Sequence, residues 1–155
     1  MKRVSTTFLQ LVIVALGIAV LAALLSEPTV EGVNANATTL YQIYFDDPFL
    51  AYIYFSFIAV FIGLYKAFKL LGYMGHQGGA YSQKSVRSLR TIKYCAMTFA
   101  GLIFAAVAFI MIFNRGQDDI AGGVAVGLFL TVTSLVIAAV AAKLERVVSK
   151  RIQTP

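Results

Sequence analysis

The sequence predicts an all-α integral membrane protein, with four transmembrane helices in an antiparallel bundle and both termini in the cytoplasm (N-in/C-in). Three observations lead there. The chain is 59% hydrophobic and only 13% charged, with a mean hydropathy of +0.81. Soluble domains carry about 25% charged residues, so 155 residues of this composition lack the polar surface that water requires. Four long apolar runs punctuate the chain, and the basic residues collect in alternate connections between them. The composition excludes a soluble enzyme, a disordered tail and an ordinary nucleic-acid-binding domain, despite a pI near 9.6. A single cysteine excludes an intrachain disulfide and a cysteine-based metal cage.

A helix crosses about 30 Å of hydrocarbon with about 20 mostly apolar residues. Four spans meet this, at 8–25, 49–65, 92–113 and 120–142. The first has Gln10 as its main polar interruption, and the second is short but flanked by aromatics. The third has Lys93 at its start, where a long side chain is expected to snorkel to the headgroups. The fourth is uncharged. The runs are continuous rather than alternating, so they are helices and not barrel strands. The whole of 1–155 is expected to form a single membrane domain, with an outer loop at 26–47 and a cytoplasmic connection at 66–91.

The charges predict the orientation. Lys2 and Arg3 precede the first span, and Lys66, Lys69, Lys84, Arg87, Arg90 and Lys93 surround the middle connection. Lys143, Arg146, Lys150 and Arg151 follow the fourth span, leaving Arg115 as the one basic residue elsewhere. Glu27, Glu31, Asp46, Asp47, Asp118 and Asp119 lie on the opposite side. The positive-inside rule then places the basic segments in the cytoplasm. Tyr41, Tyr44, Tyr52 and Tyr54 fall near the outer boundary and Tyr65, Tyr73, Tyr81 and Tyr94 near the inner one, the zones tyrosine prefers. A cleaved signal peptide with Ala35-Asn36-Ala37 as its site is the alternative for the N-terminus. The 18-residue apolar run exceeds the usual length, however, and favours a retained anchor.

Local signals refine the elements. Glu27-Pro28 is expected to stop the first helix. Leu40 to Phe45 is aromatic-rich and suited to the membrane surface, and Asp47-Pro48 reads as an N-cap followed by a first-turn proline. Asn36-Ala37-Thr38, formally a glycosylation sequon, is a chance match in a polar loop. The second helix is expected to run past the bilayer to Tyr73, where Gly72, Gly75, Gly78 and Gly79 break it. Ser82 resembles an N-cap, with Tyr81 and Val86 at staple positions. The next turn sends Lys84, Arg87 and Arg90 to one side and Val86, Leu89 and Ile92 to the other. The third helix therefore begins as a basic amphipathic turn. The connection Asn114 to Asp119 is short enough to make the last two helices a hairpin.

The chemistry-bearing residues are sparse. The glycine cluster is followed by no Gly-Lys-Ser/Thr and reads as a helix break, not a phosphate loop. His76 is the sole histidine and has no neighbouring ligand, and Cys95 has no visible base or resolving thiol. Asp46, Asp47, Asp118 and Asp119 share the outer face, where a solvated acidic rim is favoured over a hard-cation site. Transport leaves an ionisable group or broken helix at mid-membrane, whereas the mid-span polar residues here are the hydroxyls Ser56, Thr98, Thr131, Thr133 and Ser134. Small residues recur at four-residue spacing in every span: Ala15, Ala19 and Ala23; Ala59 and Gly63; Gly101 and Ala105; Gly123 and Gly127. Gly123 and Gly127 are the strongest pair, read as packing within the bundle in preference to a dimer face.

The stretch Leu64-Tyr-Lys-Ala-Phe-Lys-Leu-Leu-Gly-Tyr73, followed by Ala80-Tyr-Ser-Gln-Lys-Ser-Val-Arg-Ser-Leu-Arg-Thr-Ile-Lys-Tyr-Cys95, resembles the bacterial membrane family DUF2975. The likeness rests on an aromatic-Ser pair, a basic turn and an Ile-Lys-Tyr-Cys opening of the third span, and Met1-Lys2-Arg3 and the segment Ala138 to Leu144 extend it along the chain. It departs from many members at Arg151 to Pro155, where they carry an acidic segment. The resemblance implies four spans and no established activity. Its members often stand beside a small Cro-type helix-turn-helix regulator, which implies a membrane partner of a transcription factor.

The reading is then a bacterial inner-membrane protein of regulatory or accessory type, with no catalytic residues, metal or cofactor. Its partners are the lipid bilayer and, at the basic face, a cytoplasmic protein such as a helix-turn-helix regulator, with no direct nucleic-acid binding. Lys84, Arg87 and Arg90 are the candidate contacts for that partner or for anionic lipid, and Gly123 and Gly127 the candidate packing residues. The alternative is an oligomeric small transporter or channel subunit, a homo-oligomer closed through those glycines.

Overall fold

The computed structural model describes residues 3–31, 36, 38–75, 79–113 and 120–154. They form α1 (Arg3–Glu31), α2 (Leu40–Phe45), α3 (Pro48–Met74), a 3₁₀ turn (Gly79–Tyr81), α4 (Gln83–Phe113) and α5 (Ile120–Gln153). The four long helices have 29, 27, 31 and 34 residues. At 1.5 Å per residue each is about 40 Å or longer, beyond the roughly 30 Å of hydrocarbon. All four carry an apolar stretch long enough to cross a membrane. The chain is thus an all-α protein with four spans, as its composition predicts.

The caps follow from the local chemistry. Asp47 Oδ1 accepts the Phe49 N–H at 2.8 Å, with Pro48 in the first turn of α3. Thr39 caps α2 reciprocally: its hydroxyl accepts the Gln42 N–H, and Gln42 Oε1 accepts the Thr39 N–H, each at 3.3 Å. Ser82 Oγ accepts the Ser85 N–H at 3.2 Å and opens α4.

One boundary differs from the sequence reading. Pro28 does not end α1, which continues to Glu31. A helical proline removes the N–H that would bond the carbonyl four residues earlier, here that of Leu24. Tyr54 Oη of α3 donates to this carbonyl at 3.0 Å, and Tyr44 Oη of α2 donates to that of Leu25 at 3.3 Å. Tyr54 thus supplies the one missing donor, and the helix passes the proline. At the other end of the chain α5 runs past the span expected at 120–142 to Gln153, because no Gly or Pro interrupts it there.

The helices pack in chain order and run antiparallel. Gln10 Nε2 donates to the Phe68 carbonyl at 3.2 Å, tying the start of α1 to the end of α3. Tyr52 Oη of α3 donates to the Leu102 carbonyl of α4 at 2.8 Å, and Phe57 meets Phe99 edge-on at 5.0 Å between ring centres. Phe99, Ile103 and Val107 of α4 form the buried core, flanked by Ile53, Phe57 and Val60 of α3 and Val124 and Leu130 of α5. Among the described residues α1 packs substantially only on α3, α3 on α4, and α4 on α5. α4 is therefore the central helix, and α1 is a peripheral one.

The α4–α5 contact is the tightest. Gly127, Thr131, Ser134, Ala138 and Ala141 are the buried residues of α5. They alternate spacings of four and three, the 3.5-residue period that keeps one seam against a partner helix. All are small, which lets backbones approach in lipid, where packing rather than hydrophobicity drives association. A side chain at Gly127 would run into Val107 of α4, so glycine is required there.

Candidate functional site

The antiparallel order gathers the start of α1, the end of α3, the start of α4 and the end of α5 at one end of the molecule. That end holds Lys66, Lys69, Lys84, Arg87, Arg90, Lys93, Lys143, Arg146, Lys150 and Arg151. Asp46 and Asp47 lie at the other end, between the end of the aromatic helix α2 and the start of α3.

A polar knot sets the entry to α4. Ser82 Oγ and Ser85 Oγ both donate to the Gly79 carbonyl, at 2.9 and 2.8 Å. A Cβ at Gly79 would strike the Tyr73 carbonyl, so this close turn depends on glycine. With the knot fixed, Ser85, Val86, Ser88 and Leu89 are buried while Lys84, Arg87 and Arg90 are exposed. Tyr73, Gly79, Ser82, Gln83 and Lys84 line a shallow cavity of about 440 Å³ beside it.

The three candidate cations are not equivalent. Arg90 Nε pairs with Glu145 Oε1 of α5 at 2.8 Å, and Lys93 Nζ takes Oε2 of the same carboxylate at 2.7 Å. The Glu145 side chain is only 12% exposed, so this bidentate clamp lies in the α4–α5 interface. Glu145 stands three residues past the apolar run of α5, and the cations Lys93 and then Arg90 hold its carboxyl below the ordinary carboxylate range. Lys93, expected to snorkel to the headgroups, instead reaches across to α5, where a charge-assisted bond to a carboxylate holds its ammonium group. Lys84 and Arg87 have no ion pair among the described residues.

Sequence reasoning missed the clamp, although its signals were present. Glu145 is the single acid among the residues of the basic end, and it falls four residues after Ala141, in step with the buried seam of α5. Two other basic groups find aromatic partners. Arg151 lies over the Tyr81 ring at 5.9 Å, and Lys69 over Tyr65 at 4.8 Å.

The remaining candidates separate. Gly127 packs into α4, whereas Gly123 has open space around it. Cys95 is half-buried, with its Cβ 3.7 Å from the Cβ position of Gly63 of α3. Ser56 and Thr131 donate to carbonyls four residues earlier in their own helices, at 2.9 and 2.8 Å. Asp47 spends one oxygen on its cap. Asp118, Asp119, Arg115 and His76 lie outside the described residues. Among the described residues no group of three His, Cys, Asp or Glu side chains is placed to hold a metal.

The profile of the family described as "Protein of unknown function (DUF2975)" matches residues 33–153. The chain belongs to that family. It is similar to a protein of Bacillus subtilis (strain 168) described as "Uncharacterized membrane protein YoaS", at 36% identity over 158 residues, which covers 98% of this chain and 94% of that protein. No solved structure matches the chain. This DUF2975 chain is therefore a membrane protein of unknown function with four apolar helices. The matched region contains α2 to α5, with the core and the Glu145 clamp, and begins after α1.

Proposed function

We propose that this protein is a regulatory or accessory component of a bacterial inner membrane, with both termini and the α3–α4 connection in the cytoplasm, and that its basic end docks an acidic cytoplasmic partner. One observation carries the reading: Lys84 and Arg87 project from a rigidly capped helix start, exposed and without a carboxylate partner among the described residues, while their neighbour Arg90 is tied to Glu145. A preorganised pair of cations steers an acidic surface and fixes its register. The one-sided charge supports the orientation. The family resemblance suggests a helix-turn-helix regulator as the class of partner. The reading includes no catalytic role.

The test is charge reversal. K84E/R87E is expected to abolish copurification with the native partner from the host membrane, while insertion and α4–α5 pairing are unchanged. Unchanged copurification overturns the docking surface. Arg90 is left intact, because reversing it would also break the clamp. Thiol labelling of K84C in a C95A background is expected to require membrane permeabilisation, and labelling from outside intact cells overturns the orientation.

The alternative, an oligomeric transporter or channel subunit, draws on the open face at Gly123. It finds little support in the buried hydroxyls Ser56 and Thr131, which are spent on their own helices rather than turned to a pathway.

A further inference from the structure

α5 carries a second face, opposite the one it packs on α4. Counting 100° per residue, the seam from Gly127 to Glu145 faces one way, and Ala139, Lys143, Arg146 and Lys150 stand on the far side. Ala139, Ala142, Lys143, Arg146, Val147 and Lys150 line a shallow cavity of about 470 Å³ there. Its cations are exposed. Their charge has no counterpart within this part of the chain. Glu145 is the only acid between Ile120 and Pro155, and it is turned away and held by Arg90 and Lys93. Arg151 is separately engaged over Tyr81.

The face is divided along the helix axis. Its alanine end belongs to the apolar run of α5, and its cationic end begins at Lys143, the first charge after that run. Lys143 and Lys150 are two turns apart, about 10 Å. Small side chains leave a slot beside the helix at the depth of the acyl chains, and the cations follow at the depth of the phosphates. A ligand that matches both halves is an amphiphile with an anionic head. We infer that this outer face of α5 is a binding site for an anionic phospholipid of the surrounding bilayer, its phosphate held by Lys143, Arg146 and Lys150 and its chains lying against Ala139 and Ala142. The site is separate from the Lys84–Arg87 surface and does not depend on that reading.

The full-length protein in mild detergent, titrated with phosphatidylglycerol, phosphatidylcholine or inorganic phosphate and followed by thermal unfolding and by native mass spectrometry of retained lipid, tests this. Phosphatidylglycerol is expected to bind and stabilise, and the other two are not. K143Q/R146Q/K150Q is expected to weaken phosphatidylglycerol binding by about a hundredfold, roughly fivefold for each of the three lost cations near the surface. K143R/K150R is expected to retain it. A139W, which fills the apolar end without changing a charge, is expected to weaken it as well, and serves as the deciding variant should the triple substitution fail to fold. Equal loss in K84Q/R87Q, unchanged binding in A139W, or equal stabilisation by inorganic phosphate would each overturn the site in favour of diffuse surface charge or a free-anion site.

Discussion

α1 and the α4–α5 hairpin are made of nearly the same apolar alphabet, yet they relate to the rest of the molecule in opposite ways. α1 has the highest hydropathy of the four long helices, and none of its most apolar stretch is buried in protein, against 28% in α4 and in α5. In water the most apolar helix would occupy the core. In lipid, apolar surface has nothing to escape, so burial goes to the helices that offer close approach and polar locks. α4 and α5 offer both, in Gly127 against Val107 and in Glu145 between Arg90 and Lys93. α1 offers a few side contacts to α3: Gly17 beside Leu64, Gln10 on the Phe68 carbonyl, and the Tyr54 hydroxyl on the Leu24 carbonyl. One helix is mainly lipid-facing and adjustable, and the hairpin is a fixed unit.

The sharpest way to break this contrast is to push the hairpin apart at its closest point. Gly127→Leu places a branched side chain into Val107, which is itself 2% exposed and has nowhere to move. Overpacking of this kind costs about 3 kcal/mol. Gly123→Leu, one turn earlier in open space, is expected to cost little. Unfolding in a graded denaturing detergent compares the two, and equal losses would mean that the Gly123 face is also covered.

The same contrast shows what the residues could disclose beforehand. The spans, the caps at Asp47 and Ser82, and the amphipathic start of α4 were legible because each depends on a few consecutive residues. Helix-to-helix relations were less so. Of the small-residue sets, Ala59 and Gly63 of α3 do face α4, but Ala15, Ala19 and Ala23 of α1 and Gly101 and Ala105 of α4 are exposed. Four-residue spacing marks a smooth face and does not say whether a partner covers it. The α5 seam, which alternates fours and threes, was the better signal. Tyr44 and Tyr54 stand at the end of the molecule away from the cations, where tyrosine's preference for headgroups is expected to place them, but their hydroxyls serve the α1 backbone. For Tyr54 the reason is the proline expected to end α1, so misreading Pro28 concealed that tyrosine's role.

A smaller loss is expected at the clamp. Glu145→Gln keeps the shape and removes the charge that holds Arg90 and Lys93. Losing charge-assisted bonds in a side chain this enclosed costs about 1–2 kcal/mol. Because the folded carboxyl titrates below its ordinary value, the clamp contributes fully above the unfolded pKa, about 4.3, and is lost as pH falls through the lower, folded one. Wild-type stability is therefore expected to decline as pH falls below about 4.3, and this component should be missing in the variant. Identical acid profiles would show that the clamp adds no stability.

The smallest effect belongs to α1. Tyr54→Phe removes the hydroxyl on the Leu24 carbonyl, and hydrogen bonds between membrane helices are worth about 0.6 kcal/mol on average. The decisive comparison is with Pro28→Ala, which gives Leu24 an N–H from its own helix. In that background the carbonyl has a backbone donor and Tyr54→Phe should cost less. A double-mutant cycle read by disulfide trapping between cysteines placed in α1 and α3 measures the difference. Additive effects would mean that the tyrosine acts independently of the proline. A coupling would show that α1 is held to the bundle at the point where its own backbone falls one donor short, which explains how a helix with so little buried surface keeps a defined place beside α3.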